Sequence, residues 1–294
     1  MTAAGVKRAL VRTCQDLWDH RTLQVAAGLS YYFILAVFPG LILLSTILGA
    51  IPLPDLFGYI LGAMSRVLPP ETMKIVYSVL GDVLRGNHRA WLSLGMVGTV
   101  WVASAAFHAT IDALDTAYDV VDFRPFWKTR LLALLLTGIC GGSLLCSSAF
   151  MILGPRFGEW MAATFGIPWT WVSLWPSVQW IVAIVSSVLA VESLYFLGPN
   201  VKQRFLATLP GAALSVGCWL GLSYLLGIYF RHFADYNQTY GTLGGFIAFM
   251  NWFYFTLFVL LVGAEVNAEL AKESRRGRLR PREQPEAPRT DRAA

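Results

Sequence analysis

The 294 residues are 56% apolar and only 14% charged, with a mean hydropathy of +0.55, whereas soluble domains run at about 45–50% apolar and about 25% charged. This excludes an ordinary soluble domain, because lipid contact accounts for the apolar excess better than an outsized core does. The net charge of +5 invites a nucleic-acid reading, but the basic residues crowd into the chain ends and short connections, so no nucleic-acid partner is expected.

In chain order, a basic segment at residues 1–28 carries Lys7, Arg8, Arg12 and Arg21. A membrane span needs about 20 mostly apolar residues, and six stretches between residues 29 and 270 satisfy this. The first runs from Leu29 to about Leu53, broken at Pro39-Gly40, and the second from Trp91 to Ile111, with His108 its only titratable group. The third, Leu131 to Leu153, is uncharged, and the fourth, Val178 to Leu197, contains Glu192. The fifth, Phe205 to Phe230, contains Pro210, and the sixth runs from Leu243 to Ala264, ending at Glu265. The expected fold is therefore all-α, a polytopic six-span transmembrane bundle. Between spans one and two, residues 56–89 place Phe57, Ile60, Leu61, Met64 and Leu68 at helical spacing. Ile75, Val76, Val79, Leu80 and Val83 do so again after Pro69-Pro70. That pattern predicts an amphipathic helical hairpin, either resting on the outer interface or folding back as a lid. Residues 271–294, rich in Arg, Pro and Glu, are expected to be a disordered basic tail that attracts anionic lipid head groups.

Orientation follows the basic residues. Four lie in the N-terminal segment, three in the second-to-third connection, two in the fourth-to-fifth and eight in the tail, against six on the opposite side. Both termini are thus expected in the cytoplasm. Cys14, Cys140, Cys146 and Cys218 show neither zinc nor disulfide spacing, and no metal or cofactor is expected. Trp160, Trp169, Trp171, Trp175 and Trp180 suggest an aromatic belt at head-group level. Gly138 and Gly142, and Ala213, Gly217 and Gly221, recur four apart and suggest close helix packing.

Ionisable groups within hydrocarbon are costly, and they commonly face protein or water. Glu192 sits five residues before the end of its span, about 7–8 Å inside at 1.5 Å per residue. A lone carboxyl removed from water favours its protonated form, which allows a proton-carrying role. His108, Asp112, Asp115 and Asp119 follow one another along one helical stripe, and Glu265, Asn267 and Glu269 follow the sixth span. These acids share the cytoplasmic side, where a polar cavity could bind a cation, a proton or a polar head group. The alternative for Asp115, Asp119 and Asp122 is a structural latch with Arg124, Lys128 and Arg130. Tyr236, Asn237, Thr239 and Tyr240 make an unusually polar loop leading into the sixth span, a second candidate binding region near the outer side.

At these positions the sequence resembles the BrkB/YihY-type inner-membrane proteins, a family historically mislabelled ribonuclease BN. The resemblance rests on Ala27-Gly28-Leu29-Ser30-Tyr31-Tyr32-Phe33 with Phe38-Pro39, on Ser104 to Tyr118, on Tyr195 to Asn200 and on Pro210-Gly211-Ala212. Its most specific parts are Tyr240-Gly241-Thr242-Leu243-Gly244 and Leu261 to Leu270. It implies six spans in a bacterial inner membrane and brings neither a settled activity nor catalytic residues. A transporter or lipid flippase is the leading expectation, acting by alternating access on a small solute, ion or lipid. A non-transporting, lipid-organising scaffold is the alternative, and a homo-oligomer fits either. An enzyme is not expected, because four scattered histidines and the lack of G-x-S-x-G, H-E-x-x-H or P-loop patterns leave hydrolysis without its parts.

Overall fold

The computed structural model describes residues 3–50, 89–165, 169–232 and 236–278. These form seven helices: α1 (Ala3–Asp19), α2 (Thr22–Ala50), α3 (Arg89–Ala117), α4 (Phe126–Phe165), α5 (Trp169–Leu197), α6 (Phe205–His232) and α7 (Tyr236–Arg278). No strand occurs among the described residues. Four helical stretches are long and apolar enough to cross a membrane: Phe126–Ser148, Leu174–Leu197, Phe205–Tyr229 and Gly245–Ser274, with Thr22–Val37 a shorter apolar one. Leu131, Leu144, Ile181, Leu206 and Leu225 all point outward, each at least 60% exposed. An apolar exterior of this kind belongs in lipid rather than water.

Helices α2 to α7 each pack on their chain neighbour, and α7 returns to α2, closing a ring that α3 and α7 also bridge. The starts of α2, α4 and α6 meet the ends of α3, α5 and α7, which sets the N-terminal helix and the end of α7 at the same end of the bundle. There lies the principal core, where Ile111, Leu114, Leu136, Leu194, Ala212 and Ala264 come together from five helices. Helix α1 lies on α7 through a buried small-residue line, Gly5, Ala9 and Thr13. The four-residue spacing puts them on one face, while Val11 and Trp18 stay exposed.

Several expectations change. The polar stretch Tyr236 to Thr242 is the beginning of α7, not a loop. Helix α7 also runs to Arg278, past the start of the expected disordered tail, because Glu269, Lys272 and Glu273 there are paired rather than free. The helical hairpin falls at residues 56–88, outside the described residues, as do residues 279–294. Trp175, one of the five indoles of the expected belt, turns inward. It is buried, it donates to the Gly154 carbonyl at 2.5 Å and it packs against Phe150 and Phe157. The small-residue stripes are not the close crossings: a methyl added at Gly138, Gly142, Gly217 or Gly221 meets nothing. Close approach occurs instead at Gly211 with Gly263, and where Gly154 and Gly158 face Gln179 and Trp175.

Candidate functional site

Glu192 and Tyr195 share one face of α5, Thr208, Gly211 and Ser215 one face of α6, and Gly263 and Asn267 one face of α7, by spacings of three, four or seven. Where the three faces meet, side chains serve backbone. Asn267 accepts from the Gly211 N–H at 2.8 Å and donates to the Thr208 carbonyl at 2.7 Å. These contacts flank Pro210, which has no N–H and disturbs the ladder of α6. Tyr195 donates to the Leu260 carbonyl and lies 2.8 Å from the Ser215 hydroxyl. Gln203 donates to the Tyr195 carbonyl at 2.5 Å, serving one of the carbonyls that a helix end leaves unpaired.

Glu192 lies inside this frame at 0% exposure. Thr208 Oγ1 donates to its Oε1 at 2.5 Å, and its Oε2 has no hydrogen-bond partner among the described residues. Glu265, 1% exposed, has His20 Nδ1 2.7 Å from Oε1, and its Oε2 likewise lacks a partner. Tyr118 packs in the core cluster with Leu194 and Ala264; its hydroxyl feels both carboxyls and sits beside Asn267 and Gln203 without the geometry of a full hydrogen bond. An orphaned buried polar atom calls for an explanation, commonly water or an ion.

Two locks surround the cluster. In the first, Arg124 donates to Asp122 at 2.8 Å and to the Gly198 carbonyl at 2.8 Å, and reaches Asp115 at 3.4 Å. Asp115 also accepts from the Asn200 N–H at 2.7 Å. A side chain at position 198 would collide with the Leu194 carbonyl and Leu114, so glycine lets the chain turn tightly against α3. Burial alone would raise the Asp122 carboxyl, but Arg124 and Thr129 outweigh it and hold the group below its ordinary range.

In the second lock, His20 Nε2 lies 3.1 Å from Asp119, and Lys272 donates to both Asp119 and Glu269 at 2.6 Å. Asp119 closes α3 with a left-handed residue, φ 53°. Its N–H bonds to Thr116 O and the Val120 N–H to Asp115 O, the paired bonds of a helix C-cap that Asp tolerates. Although burial opposes it, Lys272 and His20 lower the Asp119 carboxyl. Desolvation would lower the His20 ring, yet Glu265 and Asp119 outweigh it and raise it.

Of the predicted site residues, the structure brings Glu192 and Glu265 within the field of Tyr118 and places Asp115 in the Arg124 lock. Asp112 is exposed and within the field of His108, Asp122 and Arg124. His108 meets the edge of Phe126. The latch expectation holds for Asp115 and Asp122 with Arg124, whereas Asp119 pairs with His20 and Lys272. Arg130 instead donates to the Trp101 carbonyl and covers the Trp101 ring. Tyr236, Asn237, Thr239 and Tyr240 occupy the first turns of α7, with their side chains outside the description. Tyr240 and Glu265 are about 38 Å apart along the helix at 1.5 Å per residue, so the two candidate regions are separate. Tyr118, Thr208 and Gln203 were not singled out from sequence.

A family model described as virulence factor BrkB matches residues 13–289. The chain belongs to the BrkB family. Among relatives, this BrkB-family chain is 30% identical over 256 residues to the ribonuclease-like protein YfkH of Bacillus subtilis, covering 87% of this chain and 92% of that one. It is 26% identical to a UPF0761 membrane protein of Chromohalobacter salexigens and 28% identical to one of Alkalilimnicola ehrlichii, over 92% and 86% of this chain. It spans 65% and 56% of those two proteins, both of which are longer. No solved structure matches. The chain is thus a membrane protein of the BrkB and UPF0761 group, built from apolar helices.

Proposed function

We propose that the chain is a six-span transporter or lipid flippase of the bacterial inner membrane, with both termini cytoplasmic and its polar site opening toward the cytoplasm. Helices α2 and α3, which complete the ring with the four apolar helices, supply the other two spans. The excess of basic residues at the end carrying α1 and the end of α7 supports the orientation. One observation carries the functional reading: Glu192 is wholly buried, held by the neutral Thr208 and left without a second partner among the described residues. A structural carboxylate in hydrocarbon is ordinarily paired.

The experiment is lipid flux in proteoliposomes. Fluorescent phosphatidylglycerol and phosphatidylethanolamine report movement between leaflets, with wild type compared to Glu192→Gln. Flux above protein-free vesicles that collapses in the variant supports the reading, and flux unchanged across pH removes Glu192 from the mechanism. A lipid-organising scaffold is the second reading, favoured by the two locks, and it predicts no flux in either protein. We read the chain as a non-enzyme on its sequence patterns. RNA hydrolysis by purified protein that disappears in Asp112→Ala and Asp115→Ala overturns that.

A further inference from the structure

Several polar atoms that the locks leave unsatisfied lie near one another at this end of the bundle. His20 is outermost, its side chain 18% exposed. Both its ring nitrogens face carboxylates, Glu265 and Asp119, and only a doubly protonated imidazole can donate to both. The charges bearing on this ring come from Asp16 on α1, Asp119 at the end of α3, and Glu265 and Lys272 on α7. Glu265 is in contact with that ring, and the Tyr118 hydroxyl, in the core cluster that holds Leu194 and Ala264, lies within the field of both Glu265 and Glu192. All three are more than nine-tenths buried, and each keeps an oxygen without a partner among the described residues. Glu192 on α5, Glu265 on α7 and Tyr118 just past the end of α3 bring these orphans together from three separate elements. Each costs about 1–3 kcal/mol unless water or a proton completes it, and buried waters settle at such groups.

Resting on the transport reading above, we propose that His20, Glu265, Tyr118 and Glu192 form a water-bridged path delivering a proton from the exposed end of the bundle to Glu192, so that the proton is the coupling ion. The doubly protonated imidazole gives its Nδ1 proton to Glu265, and the neutral ring then turns over, takes a proton from solvent on the bared nitrogen and turns back. The Glu265 carboxyl turns and passes a proton from its free oxygen to a bridging water. That water gives one to the Tyr118 oxygen while the Tyr118 hydroxyl proton leaves through a second water to Glu192 Oε2. Every intermediate group ends as it began, and the net change is one proton lost from solvent and one gained by Glu192. Thr208 holds the other Glu192 oxygen throughout, which leaves Oε2 as the acceptor.

The test needs no substrate. The full chain in phosphatidylglycerol nanodiscs is followed by infrared spectroscopy. The carbonyl stretch of protonated Glu192 is assigned by its loss in Glu192→Gln, and the rate of its shift is timed after transfer to D2O. Tyr118→Phe, which removes one oxygen, and Glu265→Gln are each expected to slow that shift about a hundredfold, the low end of what a positioned proton-transfer group contributes. Tyr224→Phe, the same removal of one oxygen on the exposed face of α6, leaves it unchanged. Wild-type rates in both Tyr118→Phe and Glu265→Gln overturn the path, as does the absence of any Glu192 carboxyl band at every pH. Loss of lipid flux in Glu192→Gln with exchange indifferent to Tyr118 and Glu265 defeats the path and leaves the transport reading standing. Slowed exchange with flux that survives Glu192→Gln defeats the coupling instead.

Discussion

Asn267 offers the sharpest test of how the polar frame is held. Replacing it with leucine keeps its branched outline, with methyl groups in place of the amide oxygen and nitrogen, and removes two contacts, from the Gly211 N–H and to the Thr208 carbonyl. At about 0.5–1.5 kcal/mol per net hydrogen bond, the loss is about 1–3 kcal/mol. Interhelical bonds measured within membranes average about 0.6 kcal/mol each, which places the floor near 1 kcal/mol. The upper half of that range is expected, because both contacts flank Pro210, where α6 lacks a donor and cannot mend its own ladder.

With Pro210→Ala, α6 regains the missing N–H and can close on itself, so Asn267→Leu should then cost less. Unfolding titrations in mixed micelles, followed by helical circular dichroism, measure the four proteins of the cycle. A coupling of at least about 0.5 kcal/mol between the two positions is expected. An Asn267→Leu loss that is the same with alanine at 210 would show that Asn267 does not compensate for the proline, and the account of the α6–α7 frame would fail.

Gly263→Ala drives a methyl into Ser215, the Gly211 carbonyl and Tyr195 and should cost about 1–3 kcal/mol as overpacking. Gly217→Ala, which meets nothing, should stay within about 0.5 kcal/mol; thermal melting in detergent separates them. Arg124→Ala leaves Asp115, only 4% exposed, without its cation and should cost about 3 kcal/mol, more than Asp122→Asn does in the same unfolding titration. The raised His20 ring contributes stability that is complete below its ordinary 6.5 and fades as pH climbs through the raised value. The lowered Asp119 works oppositely, its contribution being lost only as pH falls through the lowered value. Hydrogen exchange of α1 amides should therefore speed up on going alkaline, and His20→Gln should remove the step.

Helices were legible because hydropathy decides where a chain can meet lipid, and each of the six apolar stretches falls on a helix wherever it lies among the described residues. Their ends were not, because pairing rather than composition sets them. Helix α7 continues through Lys272 and Glu273 once Asp119, Glu269 and Arg8 neutralise them. Tyr236 to Thr242 read as a loop from polarity, although a polar sequence forms a helix as readily when no proline stops it. Glu192 stood out as a lone carboxyl in an apolar run. Tyr118 and Thr208 did not, since each is unremarkable on its own helix and matters only where three helices meet. Pro210-Gly211 beside an amide in the Leu261 to Leu270 motif was the available signal for Asn267. Small-residue spacing misled because it marks a helix face without saying which neighbour that face meets.

The carboxylates at this end divide by what they can release. Asp115 and Asp122 are tied to Arg124, which joins the α3–α4 connection to the α5–α6 turn through Gly198. Breaking that lock would strand Asp115 in the core at a cost of several kcal/mol. The ties of α1 to α7 are cheaper. Arg8 is 51% exposed in its pair with Glu273, and exposed pairs contribute about 0–1 kcal/mol. Arg12 with Glu273 and Asp16 with Lys272 are looser still, at 3.7 and 3.8 Å, and the link through His20 depends on a ring whose charge changes near neutral pH. If this end opens to admit a polar substrate, it therefore opens between α1 and α7, with the Arg124 lock as the fixed part. The motion would uncover Glu265 before Glu192, the same order in which a proton travelling inward would meet them.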